Sequence, residues 1–349
     1  MIECNKILNR IKISTSDNVI KHVVKAMESG FYAKGPHLEE LQNVLINRFN
    51  KKYAILTTNG FSSLFITLKA LNLPKNHHVS TASAATCFAM VNAIKAANLV
   101  PKFVDLEKNT LSLQTKMIPS NKSKKNVLII PDHFGLISNR VKNKLKNEFI
   151  IEDASQSFMS RSFINTSSDV LILSFYPTKW VNGIDGGAIL TDNSTLASKL
   201  KEIVTYVDQV KQEQTTRYNM TMSNIHAACV LGSLNGLDTI SKKLIKNYKL
   251  LSDYLNETSL KYISIRKKEI PSRFICLAKN QRQRNSIIKE MRTENIDASK
   301  ELVWITNHRD KALFPTAKKL ITRTFSIPFH PYLTIKDINK MKTFFNRFI

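Results

Sequence analysis

Apolar and polar positions alternate along this chain in two registers. Over residues 18–29, Ile20, Val23, Val24 and Met27 recur at helical spacing, and Gly30 follows where a helix C-terminus is expected. A second helix is predicted over 38–49. A short strand over 53–57 then leads through Asn59-Gly60 into a helix over 62–71. Thereafter short apolar runs end in polar residues: 100–104 before Asp105, 127–130 before Pro131-Asp132, and 149–151 before Glu152-Asp153. The run 170–175 leads into a turn over 176–179, and 188–191 closes the series. Buried strands separated by helices predict a mostly parallel α/β sheet. Ligands of such sheets gather beyond the carboxyl ends of the strands, so the polar residues there are the first candidates for chemistry.

The character changes near Leu237. A basic helix over 239–256 precedes alternating segments over 262–266 and 272–278, with further helices over 285–294 and 335–349. This predicts a large domain over 1–237 and a smaller α+β domain over 238–349, with the N-terminal segment packing on the small domain. Exposed basic helices are expected over 139–146 and 241–249.

With 349 residues and 43% hydrophobic content the chain can bury a real core, which excludes wholesale disorder. Its 9 glycines are far below the usual share of about 7%, so each invites a backbone explanation. Its 4 cysteines (Cys4, Cys87, Cys229 and Cys276) are scattered without CxxC spacing, which suits a reducing cytoplasm better than a disulfide framework or a zinc site. No metal site is expected. The N-terminus lacks the apolar core of a secretory signal, and 79–94 is too short and too rich in Ala, Ser and Thr to span a bilayer. The expectation is therefore a protein without an integral membrane segment. A net charge of +25, from 52 basic and 27 acidic residues, has two readings: attraction to an anionic partner, or a generally basic surface. No nucleic-acid motif accompanies it, so no specific nucleic-acid partner is expected.

Three strand ends carry candidate chemistry. TTNGFSSL puts Gly60 between a strand and a helix, where backbone amides form an anion site and Ser62 and Ser63 add hydroxyls; an ordinary strand–helix turn reads the same way. In FIIEDAS, Asp153 stands where a carboxylate faces a bound cation or a protonated ring nitrogen, or else caps the next helix. In SFYPTKW, Lys179 follows a buried strand, where partial desolvation favours a nucleophilic amine, and Gly183, Gly186 and Gly187 lie just downstream. An anion cradle, a carboxylate and a lysine at successive strand ends suggest pyridoxal phosphate.

The order and spacing of these motifs resemble the sugar aminotransferases of the DegT/DnrJ/EryC1/StrS group. SGFYAKGPHLEEL, TTNGFSSLFITLKAL, IIPDHFG, IEDASQS, LSFYPTKWVNGIDGGAILTD, YNMTMSNIHAACVLGSL and FSIPFHPYLT carry the likeness over nearly the whole chain. The resemblance implies a fold-type I aminotransferase with a seven-stranded sheet and pyridoxal 5′-phosphate (PLP, or its amino form PMP) as cofactor. It implies that Lys179 binds the cofactor covalently and acts as catalytic acid/base. By the same resemblance Asp153 pairs with the pyridine nitrogen, Gln156 lies near the ring oxygen, and Gly60 and Phe61 offer amides to the phosphate, with Ser62 and Ser174 as hydroxyl partners. Asn219 matches a residue reaching the phosphate in a neighbouring subunit, which implies a homodimer with shared active sites.

Departures from the family pattern concern the substrate more than the cofactor. Phe61 replaces a Thr, Cys87 stands where an aromatic ring covers the cofactor, Asp185 replaces a Glu, Thr221 an Arg and His226 a Gln. Thr221 and His308 are candidate substrate residues, and His308 and His330 match histidines without an assigned role. The implied reaction transfers an amino group from L-glutamate, leaving 2-oxoglutarate, to a nucleotide-diphosphate keto sugar. The amino sugar produced would serve surface polysaccharide, O-antigen or lipopolysaccharide synthesis in a bacterial cytoplasm. Two alternatives are a PLP-dependent sugar dehydratase, which Lys179 disfavours because some such relatives carry histidine there, and a non-catalytic binding protein that kept the fold.

Overall fold

The computed structural model describes residues 7–84, 87–107, 111, 113–114, 118, 126–139, 147–205, 216–305 and 308–349. The helix expected over 139–146 lies, but for its first residue, outside the described residues. In chain order, α1 (Asp17–Glu28) and α2 (Pro36–Phe49) precede β1 (Tyr53–Thr57), α3 (Gly60–Ala70), β2 (His78–Ala82), α4 (Phe88–Ala96) and β3 (Val100–Val104). Then come β4 (Asn126–Pro131), β5 (Glu148–Asp153), the short α5 (Phe158–Arg161), β6 (Val170–Ser174), β7 (Gly187–Thr191) and α6 (Ser194–Val204). The remaining elements are α7 (Asn224–Leu234), α8 (Leu237–Asn256), β8 (Lys261–Tyr262), β9 (Phe274–Leu277), α9 (Gln281–Thr293), α10 (Pro315–Arg323), β10 (Thr324–Ile327) and α11 (Ile335–Phe345).

Seven strands form one sheet in the order β1-β7-β6-β5-β4-β2-β3. Pairing is parallel from β3 through β6, while β7 runs antiparallel to both of its neighbours. Side chains alternate between the faces as the pleat requires. Val170, Ile172 and Ile189 enter a core under α3, α4 and α6, whereas Leu171, Leu173, Ala188 and Leu190 enter a core on the opposite face. That second core includes Leu41 and Leu45 of α2, runs through Leu244 and Leu251 of α8, and continues to Phe274 and Phe325 of the small antiparallel sheet β10-β9-β8. Residues 7–10 lie beside the small sheet's elements: Leu8 N–H donates to the Asn295 carbonyl at 2.9 Å, and Arg10 pairs with Glu301.

Several expected elements have different limits. The strand expected over 262–266 reduces to two residues, because the Tyr248 hydroxyl donates to the Ile263 carbonyl and accepts from Ile265 N–H, displacing the ladder. The strand expected over 272–278 begins at Phe274, since Ser272 N–H is drawn to the Phe134 carbonyl instead. The helix expected from 285 begins four residues earlier, at Gln281, where the Asn280 side chain caps it by accepting from Gln283 N–H. The last helix ends at Phe345, and a 3₁₀ turn over Asn346–Phe348 follows, held where the Phe348 carbonyl accepts from Ser259. The apolar stripe read on α1 is also turned around. Val19 and Ala26 face the core, and α1 presses on α7, while Ile20, Val24 and Met27 are exposed.

Candidate active site

Because β7 is antiparallel, its first residue, Gly187, pairs with the last residue of β6, Ser174, and with the last of β1, Thr57. The segment 175–186, which carries Lys179, is thereby held at the sheet edge where the parallel strands end. Buried Phe175 closes this loop: its N–H donates to the Gly186 carbonyl and its carbonyl accepts from Gly183 N–H, both at 2.8 Å. Lys179 N–H donates to the Tyr176 carbonyl at 2.9 Å, which makes the turn that brings the lysine to the edge.

A cavity of ≈ 520 Å³ opens there, and Gly60, Phe61, Cys87, Asp153, Gln156, Ser174 and Lys179 all line it. At the start of α3, Asn59 Oδ1 accepts from Ser62 N–H at 2.9 Å and the Asn59 carbonyl from Ser63 N–H at 3.0 Å. Gly60 and Phe61, at the positive end of this 11-residue helix, line the cavity together with Asn59 and Leu64. The serines do not act alike. Ser174 lines the cavity, with its Oγ 3.4 Å from where a Cβ on Gly60 would lie. Ser62 is buried inside the turn, its hydroxyl bonded to that of Thr58 at 2.8 Å. It is not among the lining residues, contrary to its expected place as an open hydroxyl.

Asp153, at the end of β5, does not cap a helix; Ser157 precedes α5, and Asp153 Oδ1 accepts from Ser155 N–H at 3.0 Å. Gln156 Oε1 accepts from Phe134 N–H at 2.9 Å, which fixes the amide and leaves its NH₂ as the remaining donor. Desolvation is the largest influence on Lys179 and pushes its ammonium below its ordinary range; the charge of Asp153 opposes this, and that of Arg273 reinforces it. An amine so placed gives up its proton more readily than a surface lysine.

Two further residues line the cavity without a role assigned from the sequence, Asp132 and His133. Asp132 follows β4, so the strand-end rule pointed to it. Burial and the nearby charge of Glu152 hold its carboxyl well above the usual range, partly offset by hydrogen bonds from Ser138 N–H and Ser157 Oγ. Burial lowers His133 to about 4, and its Nε2 has no partner among the described residues. The turn that places both depends on Gly135, at φ +92°, where a Cβ would lie 2.2 Å from the Ile270 carbonyl.

Asn219 and Thr221 are exposed and do not line this chain's cavity. Between them, the Met220 carbonyl accepts from Thr58 N–H at 2.9 Å, so the segment runs along the outer side of the Asn59-Gly60 turn. His308 opens a 3₁₀ turn over His308–Leu313, and its side chain lies outside the described residues. His330 is buried, and burial lowers it to about 4; it is not a lining residue of this cavity. Among the described residues, no group of three or more His, Cys, Asp or Glu is arranged to hold a metal, and no helix is long and apolar enough to cross a membrane.

Residues 14–344 match the model of the DegT/DnrJ/EryC1/StrS aminotransferase family. The chain belongs to that family. It is an aminotransferase, and its relatives include the Bacillus subtilis spore coat polysaccharide biosynthesis protein SpsC, 22% identical over 92% of this chain and 91% of that one. The UDP-2-acetamido-2-deoxy-3-oxo-D-glucuronate aminotransferase of Pseudomonas aeruginosa is 24% identical, over 92% of this chain and 93% of its own. The fold matches that of NtdA from Bacillus subtilis, solved with bound cofactor PMP, at a TM-score of 0.80 and 20% identity, over 99% of this chain and 85% of NtdA.

The site of this aminotransferase fits pyridoxal 5′-phosphate. A helix N-terminus suits the phosphate, a carboxylate a protonated ring nitrogen and a desolvated lysine the aldehyde, and all three line one cavity.

Proposed function

We propose that this aminotransferase converts a nucleotide-linked keto sugar to an amino sugar, with L-glutamate as amino donor and pyridoxal 5′-phosphate as cofactor. The observation that carries the reading is that Lys179, Asp153 and the start of α3 line one cavity. When bound, the cofactor supplies a carbonyl that takes up the amino group and a ring that withdraws electrons from the reacting carbon. The amides of Gly60 and Phe61 would hold its phosphate, Asp153 would keep the proton on its ring nitrogen, and Gln156 would lie near its ring oxygen. Lys179 would take the proton from the donor's α-carbon in the first half of the reaction and would put one on the sugar carbon that gains the amino group in the second. Cys87 packs on the ring with less area than an aromatic side chain. The relatives that act on sugars support the substrate class, as SpsC does a role in surface polysaccharide synthesis.

The proposed assembly is a homodimer. Ile20, Val24 and Met27 of α1, with Phe31 and Tyr32 beyond it, leave an apolar surface exposed on one chain. Asn219 and Thr221 are exposed beside the phosphate turn, in keeping with a place at a neighbour's site. Sedimentation equilibrium tests the dimer.

The reaction is tested by the visible absorbance of the lysine-bound cofactor. Addition of L-glutamate is expected to abolish it in the native protein, and Lys179→Ala is expected to lack both the band and turnover. A Lys179→Ala protein of undiminished activity refutes the assignment.

A further inference from the structure

Beside the large cavity lies a second of ≈ 40 Å³. Ser155, Gln156 and Lys179 line both, so the two share a wall. The small one is completed in part by Trp180, Ser272 and Arg273, whose donors are not used up. Trp180 Nε1 and Ser272 Oγ are buried without a hydrogen-bond partner among the described residues. Arg273 Nη1 donates to the carbonyl of its own neighbour, Ser272, at 2.7 Å. Its guanidinium has no ion pair with a carboxylate among the described residues.

Such an arrangement is costly unless a ligand answers these donors. Arg273 is half-buried, a setting in which charges are usually paired, and each buried donor left without a partner forfeits its desolvation free energy. Burial and the nearby charge of Arg10 push the guanidinium down to about 10, and Arg273 in turn disfavours the charged form of Lys179. An anion bound between them relieves all of these at once. At roughly 10–15 Å³ per water position, the small cavity has room for about three waters. That suits one carboxylate, whose two oxygens match a guanidinium fork, and it excludes a hexose or a nucleotide.

We infer that Arg273, Ser272 and Trp180 form the pocket for the carboxylate of an α-amino acid donor. Seated there, the donor has its carboxylate in the small cavity and its α-carbon at the wall that Lys179 shares with the large one. The large cavity is left for the cofactor and the sugar. Arg273 is then a positioning residue for the first half of the reaction. The inference rests on the transamination proposed above and adds to it the part of the site that recognises the donor.

The test is calorimetric titration of the cofactor-loaded protein with glutarate, a dicarboxylate that cannot react, alongside the half-reaction with L-glutamate followed by absorbance. Arg273→Met is expected to weaken glutarate binding by at least about tenfold. It is also expected to raise the L-glutamate concentration needed for half-maximal rate by a similar factor, with less effect on the plateau rate. Arg273→Lys, which keeps the charge without the fork, is expected to lie between, and it serves as the informative variant should Arg273→Met fail to fold. Equal glutarate affinity in the native and Arg273 variant proteins, or no binding to the native protein, overturns the inference. So does a competition in which D-glucuronate, and not glutarate, loses its binding on substitution, because the carboxylate read is then a sugar's. Arg273-dependent glutarate binding in a protein that converts no amino donor supports the anion pocket and refutes transamination. Conversion by Arg273→Met with unchanged glutamate dependence refutes the pocket and leaves transamination standing.

Discussion

Gly187 lies against the backbone of Asn59: a Cβ at Gly187 would sit 2.5 Å from the Asn59 carbonyl carbon and oxygen and 2.7 Å from Ser63 Oγ. The strand after the lysine loop and the turn before α3 are thus packed with no room for a methyl group. Gly187→Ala must move one of them, and both belong to the floor of the site. We expect a loss of about 1–3 kcal/mol in stability and weaker cofactor binding, read by thermal unfolding with and without pyridoxal phosphate. A variant of native stability and cofactor affinity contradicts the close approach.

Asp153 is the carboxylate whose charge favours the ammonium form of Lys179. Asp153→Asn keeps the volume and removes the charge, so the Lys179 pKa falls further below its ordinary range. The pH profile of Lys179 acylation in the cofactor-free protein, followed by peptide mass spectrometry, is expected to move to lower pH. Turnover of the loaded enzyme is expected to fall by about a hundredfold or more, since nothing then holds the ring-nitrogen proton.

His133 is lowered from 6.5 to about 4 by burial. The unfolded chain therefore binds this proton at a higher pH than the native one. The stability due to the neutral ring is fully present above pH 6.5 and is lost as pH falls toward 4, on the order of 3 kcal/mol for this fully buried group. Buried Asp132, whose carboxyl is raised, works in the opposite sense as pH rises. The informative quantity is accordingly the difference between the native protein and His133→Gln. Urea unfolding at pH 7 and pH 4.5 is expected to show the native protein losing more stability than the variant, and equal losses rule out a buried neutral ring.

Asn224 links two distant segments. Its Oδ1 accepts from His37 N–H at 3.0 Å in the first turn of α2, and its Nδ2 donates to the Phe31 carbonyl at 2.7 Å. It does for α2 what a capping side chain does, since Gly35 at the N-cap has none. Asn224→Ala is expected to cost about 1–3 kcal/mol by leaving these buried groups unpaired, measured by chemical denaturation. Asn224→Asp, which keeps the acceptor, is expected to recover part of the loss.

Legibility in the sequence tracked how locally each element is determined. The strands 53–57 and 100–104 appeared with their observed limits, because an apolar run bounded by turn residues needs no distant partner to be recognised. β2, with the sequence HVSTA, was hidden: its Ser80 and Thr81 are buried by neighbouring strands rather than by their own hydrophobicity. The outward-facing stripe of α1 misled for a similar reason, since periodicity reports an apolar side without saying which surface covers it. At the site, Lys179, Asp153 and Gly60 were legible because strand ends converge. The inward turn of Ser62 was not, because it depends on whether Thr58 or the cavity receives its hydroxyl. Arg273 gave no local signal at all; its isolation is a property of what packs around it.

The apolar core that passes from Leu173 and Leu190 through α8 to Phe274 and Phe325 bears on how the enzyme moves. A hinge needs a seam across which few contacts run, whereas among the described residues one apolar core joins the two sheets on this face. Any closure over substrates is expected to proceed by shear, as small sliding of packed helices that keeps interior side chains in contact. Ile270, Ser272 and Arg273 line one small cavity with Lys179, so in such sliding they would shift with the lysine as neighbours in a shared frame.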